Sequence, residues 1–246
     1  TASLRLAKVG TGTLTLTGNN TFSGGTVISN GTVLVQGATA TLGSGSVAVR
    51  SGGTFGGSSG TAVGGATLDA GGTLRLPGGV GATPLSVGGL TFGANSTDVT
   101  TTAVDVFSGG KAACTGALTV NGTNVINLIG GVPPVGVYDV ITYSGGIGGS
   151  GFAGFKMGSV QPGVVAFLQD SGSAIQVNVT ATGQPGVWVG NQLSQWNLQG
   201  GLEWKGVVSG TPQAYLDLYP VFFDDTAASF AVNLTEDVTP AAVSVN

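Results

Sequence analysis

The chain has 246 residues, of which 47 are glycine, 7% are charged and none is histidine. Without histidine the chain has no imidazole for general base catalysis, and its single cysteine can neither complete a structural zinc site nor close an intrachain disulfide. The net charge of -4 argues against nucleic acid as a partner. No apolar run reaches the roughly 18 residues of a membrane-spanning helix, so we expect no such segment.

Short stretches in which Val, Leu, Ile or Ala alternate with Thr or Ser predict half-buried β-strands. In chain order they are residues 13–16, 32–35, 46–49, 73–76 and 118–120. Glycine pairs or Asn-Gly separate them and predict turns; these are Gly24-Gly25, Asn30-Gly31, Gly52-Gly53, Gly71-Gly72, Gly88-Gly89 and Asn121-Gly122. No segment of ten residues has a helical apolar stripe, so the sequence predicts an all-β fold.

The strand starts recur along the chain, and the two longest intervals between them are close to double the shortest; the starts are Leu14, Val33, Val47, Leu74, Leu90 and Leu118. A loose repeat of about 14 to 19 residues is typical of a solenoid whose coils contribute strands to parallel sheets. We expect Thr and Ser to face outward and apolar residues to face inward. This predicts a parallel β-helix with one apolar core that contains Leu14, Leu16, Val33, Val35, Val47, Val49, Leu74 and Leu76.

Residues 11–37 read TGTLTLTGNNTFSGGTVISNGTVLVQG. This segment resembles the autotransporter-associated β-strand repeat of bacterial surface proteins, which combines a Gly-Thr-Leu-Thr-Leu strand with an Asn-x-Phe-x-Gly-Gly-Thr turn. The segments PGVWVGNQLSQWNLQGGLEWK and FFDDTAASFAVNLTEDVTPAAVSVN resemble those that join such repeats in secreted arrays, with Glu203-Trp204 in place of the usual Asn-Trp. The resemblance implies a right-handed parallel β-helix at an extracellular or cell-surface location.

The composition changes at residues 182–186, where a turn-rich segment separates a Gly-, Thr- and Val-rich region from one that holds all three tryptophans. We predict a parallel β-helix over residues 1–184 and a C-terminal β-rich aromatic segment, a cap or connector, over residues 185–246. Trp188, Trp196 and Trp204 are evenly spaced, which could mark a carbohydrate-binding strip. Burial in the core of the segment is the favoured interpretation, because large aromatic side chains supply buried area.

Acidic residues are the only candidates for general acid or base chemistry, and most of them are scattered singly. Asp224 and Asp225 are adjacent, which favours a turn with Asx hydrogen bonds. Cys114 has small apolar neighbours, which indicates a buried, inert thiol. We therefore expect no catalytic, cofactor or metal site, and a polysaccharide-acting β-helix enzyme, which needs clustered carboxylates, is only a third hypothesis.

The leading hypothesis is an extracellular structural protein, a subunit or module of a head-to-tail surface fibre. The alternative is a passenger-type adhesin with cell-surface glycans as partners. For the fibre, we expect the chain's main partner to be another copy of itself, because alternating strands are predicted at residues 3–6 and 241–245 and neither carries a dense charged cap. A strand within residues 230–246 would pair with the first coil of the next copy, through Ser3, Leu4, Leu6, Leu14, Leu16, Phe230, Val232, Leu234, Val243 and Val245.

Overall fold

A computed structural model describes residues 3–37, 39–58, 62–79, 81–161, 164–182, 185–198, 201–207, 209–217 and 219–246. These residues form one short 3-10 helix, Gly151–Gly154, and β-strands throughout, which confirms the all-β prediction. The strands are β1 (Leu6–Lys8), β2 (Thr13–Leu16), β3 (Thr26–Ile28), β4 (Gly31–Gln36), β5 (Val47–Val49), β6 (Gly53–Ser58), β7 (Ala62–Leu68), β8 (Thr73–Leu76), β9 (Leu85–Phe92), β10 (Val99–Val104), β11 (Ala112–Cys114), β12 (Leu118–Val120), β13 (Thr123–Leu128), β14 (Gly136–Thr142), β15 (Ile147–Gly149), β16 (Phe155–Met157), β17 (Val165–Asp170), β18 (Ala174–Ala181), β19 (Gly186–Trp188), β20 (Gln195–Trp196), β21 (Trp204–Gly206), β22 (Pro212–Gln213), β23 (Pro220–Phe223), β24 (Asn233–Leu234) and β25 (Ala242–Val245).

Two sheets contain the strands from β1 to β18, and the chain passes from one to the other at each step from β1 to β10. Sheet A contains β1, β3, β5, β7, β9, β11, β12, β14, β15, β17 and β18, and sheet B contains β2, β4, β6, β8, β10, β13 and β16. From β1 to β16, neighbouring strands of both sheets are parallel and in register, as Leu14 is with Val33 and Val33 with Phe55. This winding is consistent with the predicted parallel β-helix, and its right-handedness stays a prediction.

The apolar core lies between the two sheets and contains most of the predicted residues. Six of them are almost completely buried: Val33, Val35, Val47, Val49, Leu74 and Leu76. Leu14 and Leu16 are only half-buried, because they lie on β2, the edge strand of sheet B, which has a neighbouring strand on one side only. The inward orientation of the alternating apolar residues is thus confirmed beyond the first coil.

The expectation that threonine faces outward is wrong in the middle of the stack. Thr100, Thr102 and Asn124 are buried on β10 and β13. Thr102 Oγ1 donates to Asn124 Oδ1 at 2.9 Å, and Asn124 Nδ2 donates to Thr100 Oγ1 at 3.0 Å. These polar side chains are tolerated in the core because they satisfy one another's hydrogen bonds.

Two predicted local structures differ from the observed ones. Gly88 and Gly89 lie inside β9 rather than in a turn; a Cβ atom added to Gly116 of a neighbouring coil would lie 1.8 Å from the Gly88 carbonyl oxygen, so glycine allows close backbone approach there. The first strand begins at Leu6 instead of Ser3. The partner of β1 is β3, which begins at Thr26, directly after Gly25. Gly25 has a φ of +85° and turns the chain, so the pairing of the two strands starts at Leu6.

The repeat predicted from the strand starts mixes the two sheets. Leu14, Val33 and Leu74 lie in sheet B, whereas Val47, Leu90 and Leu118 lie in sheet A. Within sheet B, Leu14 pairs with Val33, and Leu74 pairs with Thr102. The separation along the chain is larger between Leu74 and Thr102 than between Leu14 and Val33. The coils therefore differ in length, because their connections do.

The chain divides into two compact units, described separately. The N-terminal unit comprises Thr1–Val160 and Ala166–Asn178, and the C-terminal unit comprises Gln161–Val165 and Val179–Asn246. Residues 183 and 184, at the predicted boundary, lie outside the described residues. In the C-terminal unit, a five-stranded sheet C has the order β22-β21-β19-β23-β25, and β20 pairs with β24 in sheet D. The ladder β19-β23-β25 and the pair β20-β24 are parallel.

Candidate functional site

The residues considered for catalysis or metal binding are engaged in local structure. Cys114 is 4% exposed, and burial raises the pKa of its thiol. Asp224 Oδ1 accepts hydrogen bonds from Thr226 N at 2.9 Å and Thr226 Oγ1 at 2.5 Å, which confirms the Asx turn and lowers the pKa of Asp224. In the described ranges, no three Cys, Asp or Glu residues group as metal ligands, and no helix is long and apolar enough to span a membrane.

The three tryptophans form the core of the C-terminal unit. Trp188, Trp196 and Trp204 are 1%, 6% and 1% exposed. Trp204 meets Trp188 and Trp196 edge-on, with ring centroids 5.1 and 5.2 Å apart, and Phe223 packs against all three rings. The burial prediction is confirmed, and a flat carbohydrate-binding strip is ruled out because the ring faces are covered by other side chains.

We expect the tryptophan emission of the native protein to lie well to the blue of free tryptophan and to resist quenching by iodide, because all three indoles are enclosed. The control is the same protein in denaturant, where quenching should become complete. Full quenching of the native protein would contradict the enclosed cluster.

A buried carboxylate fixes the loop next to this cluster. Glu203 is 1% exposed, and its two oxygens accept hydrogen bonds from the backbone N–H groups of Gln192, Leu193 and Ser194. Ser194 has a φ of +52°, a conformation that a non-glycine residue adopts at a cost. Glu203 thus satisfies three donors of the loop with one side chain. From the sequence, Glu203 stood out only because Glu203-Trp204 replaces the Asn-Trp that is usual in the resembling segments.

The first coil of the N-terminal unit contains β1 and β2, and each of them is an edge strand of its sheet. Each pairs on one side, Leu6 beside Thr26 and Leu16 beside Val35, and has no partner strand on the other side among the described residues. Leu6 and Leu16, like Leu14, occupy inward columns but are half-buried. Leu4, which precedes β1, is 60% exposed. This edge presents both unpaired backbone groups and apolar side chains.

The C-terminal unit ends in a comparable edge formed by β24 and β25. Val221 is buried, yet Val243, its neighbour in register on β25, is 51% exposed. Trp196 is buried, whereas its neighbour Leu234 on β24 is 56% exposed. Parallel neighbours in register face the same side of a sheet. Val243 and Leu234 therefore continue core columns that no described residue covers on the open side.

The structure thus divides the ten predicted contact residues into two separate sets. Leu6, Leu14 and Leu16 line the edge of the N-terminal unit, and Ser3 and Leu4 lie just before it. In the C-terminal unit, Leu234, Val243 and Val245 line the open edge, Phe230 is exposed nearby, and Val232 packs half-buried against the tryptophan core. The sequence analysis missed the charged residues beside these edges, Lys8 and Glu236.

Lys8 lies on β1 itself, in the column that contains Ile28. Its Nζ donates to the carbonyl oxygens of Val9 at 2.9 Å and Gly10 at 2.6 Å, so the ammonium group is held at the edge. Glu236 follows β24, and its Oε2 accepts a hydrogen bond from Leu198 N at 3.1 Å. An open concavity of about 670 Å³ lies here, lined by Leu234, Thr235, Glu236, Asp237 and Val238.

Comparison with known proteins agrees with the coil described above. Residues 6–35, which span β1 to β4, match the passenger-associated-transport-repeat family. A search of curated proteins finds no match to the chain. The repeat is a structural repeat of passenger domains rather than a catalytic family, and it suggests a secreted or surface protein. The resemblance of the first coils to autotransporter-associated repeats is therefore confirmed.

Proposed function

We propose that this protein is an extracellular structural module that assembles head to tail into a β-helical surface fibre. The observation that carries the proposal is the presence of two open strand edges with uncovered inward apolar residues, one formed by β1 and β2 and the other by β24 and β25. Soluble monomers usually protect such edges with charge, proline or a covering element, because open edges recruit other strands.

The two edges differ from each other, so their contact is heterologous. A heterologous contact that does not close into a ring propagates as a filament. Parallel strand addition would satisfy the open backbone groups of β25 and cover the exposed Val243 and Val245 in the same step. The low content of charged residues, 7% of the chain, weakens repulsion between successive copies.

The proposal is tested by deleting residues 239–246, which removes β25 and leaves the rest of the tryptophan-containing unit in place. We expect the full chain to form uniform filaments in negative-stain micrographs and the truncated chain to remain monomeric. Far-ultraviolet circular dichroism and the tryptophan emission check that the truncated chain is folded. Filaments of the same repeat from the truncated chain, or a full chain that stays monomeric, would show that the proposal is wrong.

A passenger-type adhesin is the second candidate, favoured by the repeat match at residues 6–35. In that case the same micrographs would show isolated rods, and a glycan array would detect binding by the monomer. Experiments on one preparation of the protein therefore distinguish the fibre hypothesis from the adhesin hypothesis.

A further inference from the structure

The two open edges carry opposite charges. Arg5 and Lys8 lie immediately before and on β1, whereas Glu236 and Asp237 follow β24 and line the concavity there. Arg5 Nε donates to the Gly24 carbonyl oxygen at 2.9 Å, which ties its guanidinium group to the first coil. These two cations are 2 of the 7 in the chain. The charge pattern favours contact between unlike edges and opposes contact between like ones.

The lengths of the connections indicate which strands would meet. In the first coil of the N-terminal unit the longer connection follows the sheet B strand: residues 17–25 join β2 to β3, but only residues 9–12 join β1 to β2. In the C-terminal unit the longer connection follows a sheet C strand, because residues 224–232 join β23 to β24 and residues 235–241 join β24 to β25. Sheet C therefore corresponds to sheet B and sheet D to sheet A. This places β2 of a second copy on β25 and β1 on β24.

The alternation of side chains limits the register of β2 on β25. The two strands read Thr-Leu-Thr-Leu and Ala-Val-Ser-Val, each with its second and fourth residues inward. A slip by one residue would put Val243 and Val245 beside threonines and turn the apolar set outward. A slip by two would leave one valine of β25 uncovered. The register that covers both pairs Val243 with Leu14 and Val245 with Leu16.

The same reasoning places Leu6 beside Leu234, because this pair extends the core column of Trp196. Two residues further along both strands, Lys8 then comes level with Glu236. We infer that a second copy of this chain is the partner of the β24–β25 edge, bound in this register, with Lys8 facing Glu236 and with Arg5 and Asp237 adding to the opposite charges of the two edges. The inference rests on the proposed fibre and specifies its junction.

Charge reversal at each edge tests the junction. One variant carries Arg5→Glu with Lys8→Glu, and the other carries Glu236→Lys with Asp237→Lys. Alone, each should need about tenfold or more protein to form filaments, because like charges then meet at the junction. An equimolar mixture should assemble again, since each variant offers the other an edge of opposite charge. Arg75→Glu with Lys156→Glu is the matched control, as both residues are exposed and lie on other strands.

The outcomes distinguish a failure of the proposed junction from a failure of the proposed fibre. If the unaltered chain forms filaments but the reversed variants assemble equally well, or their mixture stays unassembled, the junction is wrong and the fibre stands. If the unaltered chain forms none, both fall. Circular dichroism establishes that each variant is folded.

A cysteine pair tests the register without altering charge. Ser244→Cys and Thr15→Cys in one chain should give a ladder of disulfide-linked oligomers on mild oxidation, because neighbours in register on parallel strands lie within disulfide reach. Ser244→Cys with Thr32→Cys places the second thiol one coil further away and should give no ladder. Equal ladders from both pairs would overturn the register. The native Cys114 is buried and serves both variants as the same background.

Discussion

Val33→Asp is expected to lower the free energy of unfolding of the N-terminal unit by about 3 to 5 kcal/mol. Val33 is 0% exposed and lies between Leu14 and Phe55 in the ladder of sheet B. A carboxylate there would enter an apolar column, and the buried residues that the structure describes include no Lys or Arg to pair with it, so the substitution is among the most costly. Urea unfolding followed by far-ultraviolet circular dichroism measures the loss.

Val137→Asp is the matched control for this substitution, because Val137 is 51% exposed and its replacement should change the free energy of unfolding by no more than about 0.5 kcal/mol. An unchanged unfolding midpoint for Val33→Asp would mean that the apolar side of β4 does not face the core.

Glu203→Leu is expected to destabilise the C-terminal unit by about 3 kcal/mol. The substitution removes the acceptor of three backbone N–H groups, at Gln192, Leu193 and Ser194, and leaves these donors without it. Removal of a buried charge offsets part of the loss. Glu203→Gln should lower the free energy of unfolding by less, because the amide oxygen still accepts hydrogen bonds from the loop. Its NH₂ group, however, would face a backbone N–H donor, so some loss is expected.

The loss is measured by the tryptophan emission during urea unfolding, because all three tryptophans report on this unit. Asp225→Asn removes the same charge at an exposed position and should leave the midpoint nearly unchanged. If Glu203→Leu unfolds at the same urea concentration as Asp225→Asn, the hydrogen bonds of Glu203 do not stabilise the loop.

Much of the N-terminal unit could be predicted from the sequence, since alternation reports which side of a strand is buried. The strands at residues 13–16 and 73–76 occur as predicted. The coil length was harder to predict, because the strands of sheets A and B show the same alternation of apolar and polar residues. The sequence pattern therefore does not distinguish Val33, which lies in sheet B, from Val47, which lies in sheet A. Connections of unequal length hide the true interval further.

The buried polar residues lay beyond sequence reasoning for a different reason. Thr102 looks like an outward threonine until Asn124, from the next coil of the stack, is placed beside it. The same holds for the charges at the open edges. Lys8 and Glu236 stand out only after pairing shows which sides of β1 and β24 are unoccupied.

The register of sheet B also bears on how the N-terminal unit folds. Each strand pairs with strands of the adjacent coils, as Leu14 does with Val33 and Leu74 with Thr102, and not with distant parts of the chain. A coil can therefore fold as soon as its predecessor is in place, and the cost of loop closure stays nearly constant along the stack. Order then spreads along the unit one coil at a time, each finished edge serving as the template for the next segment.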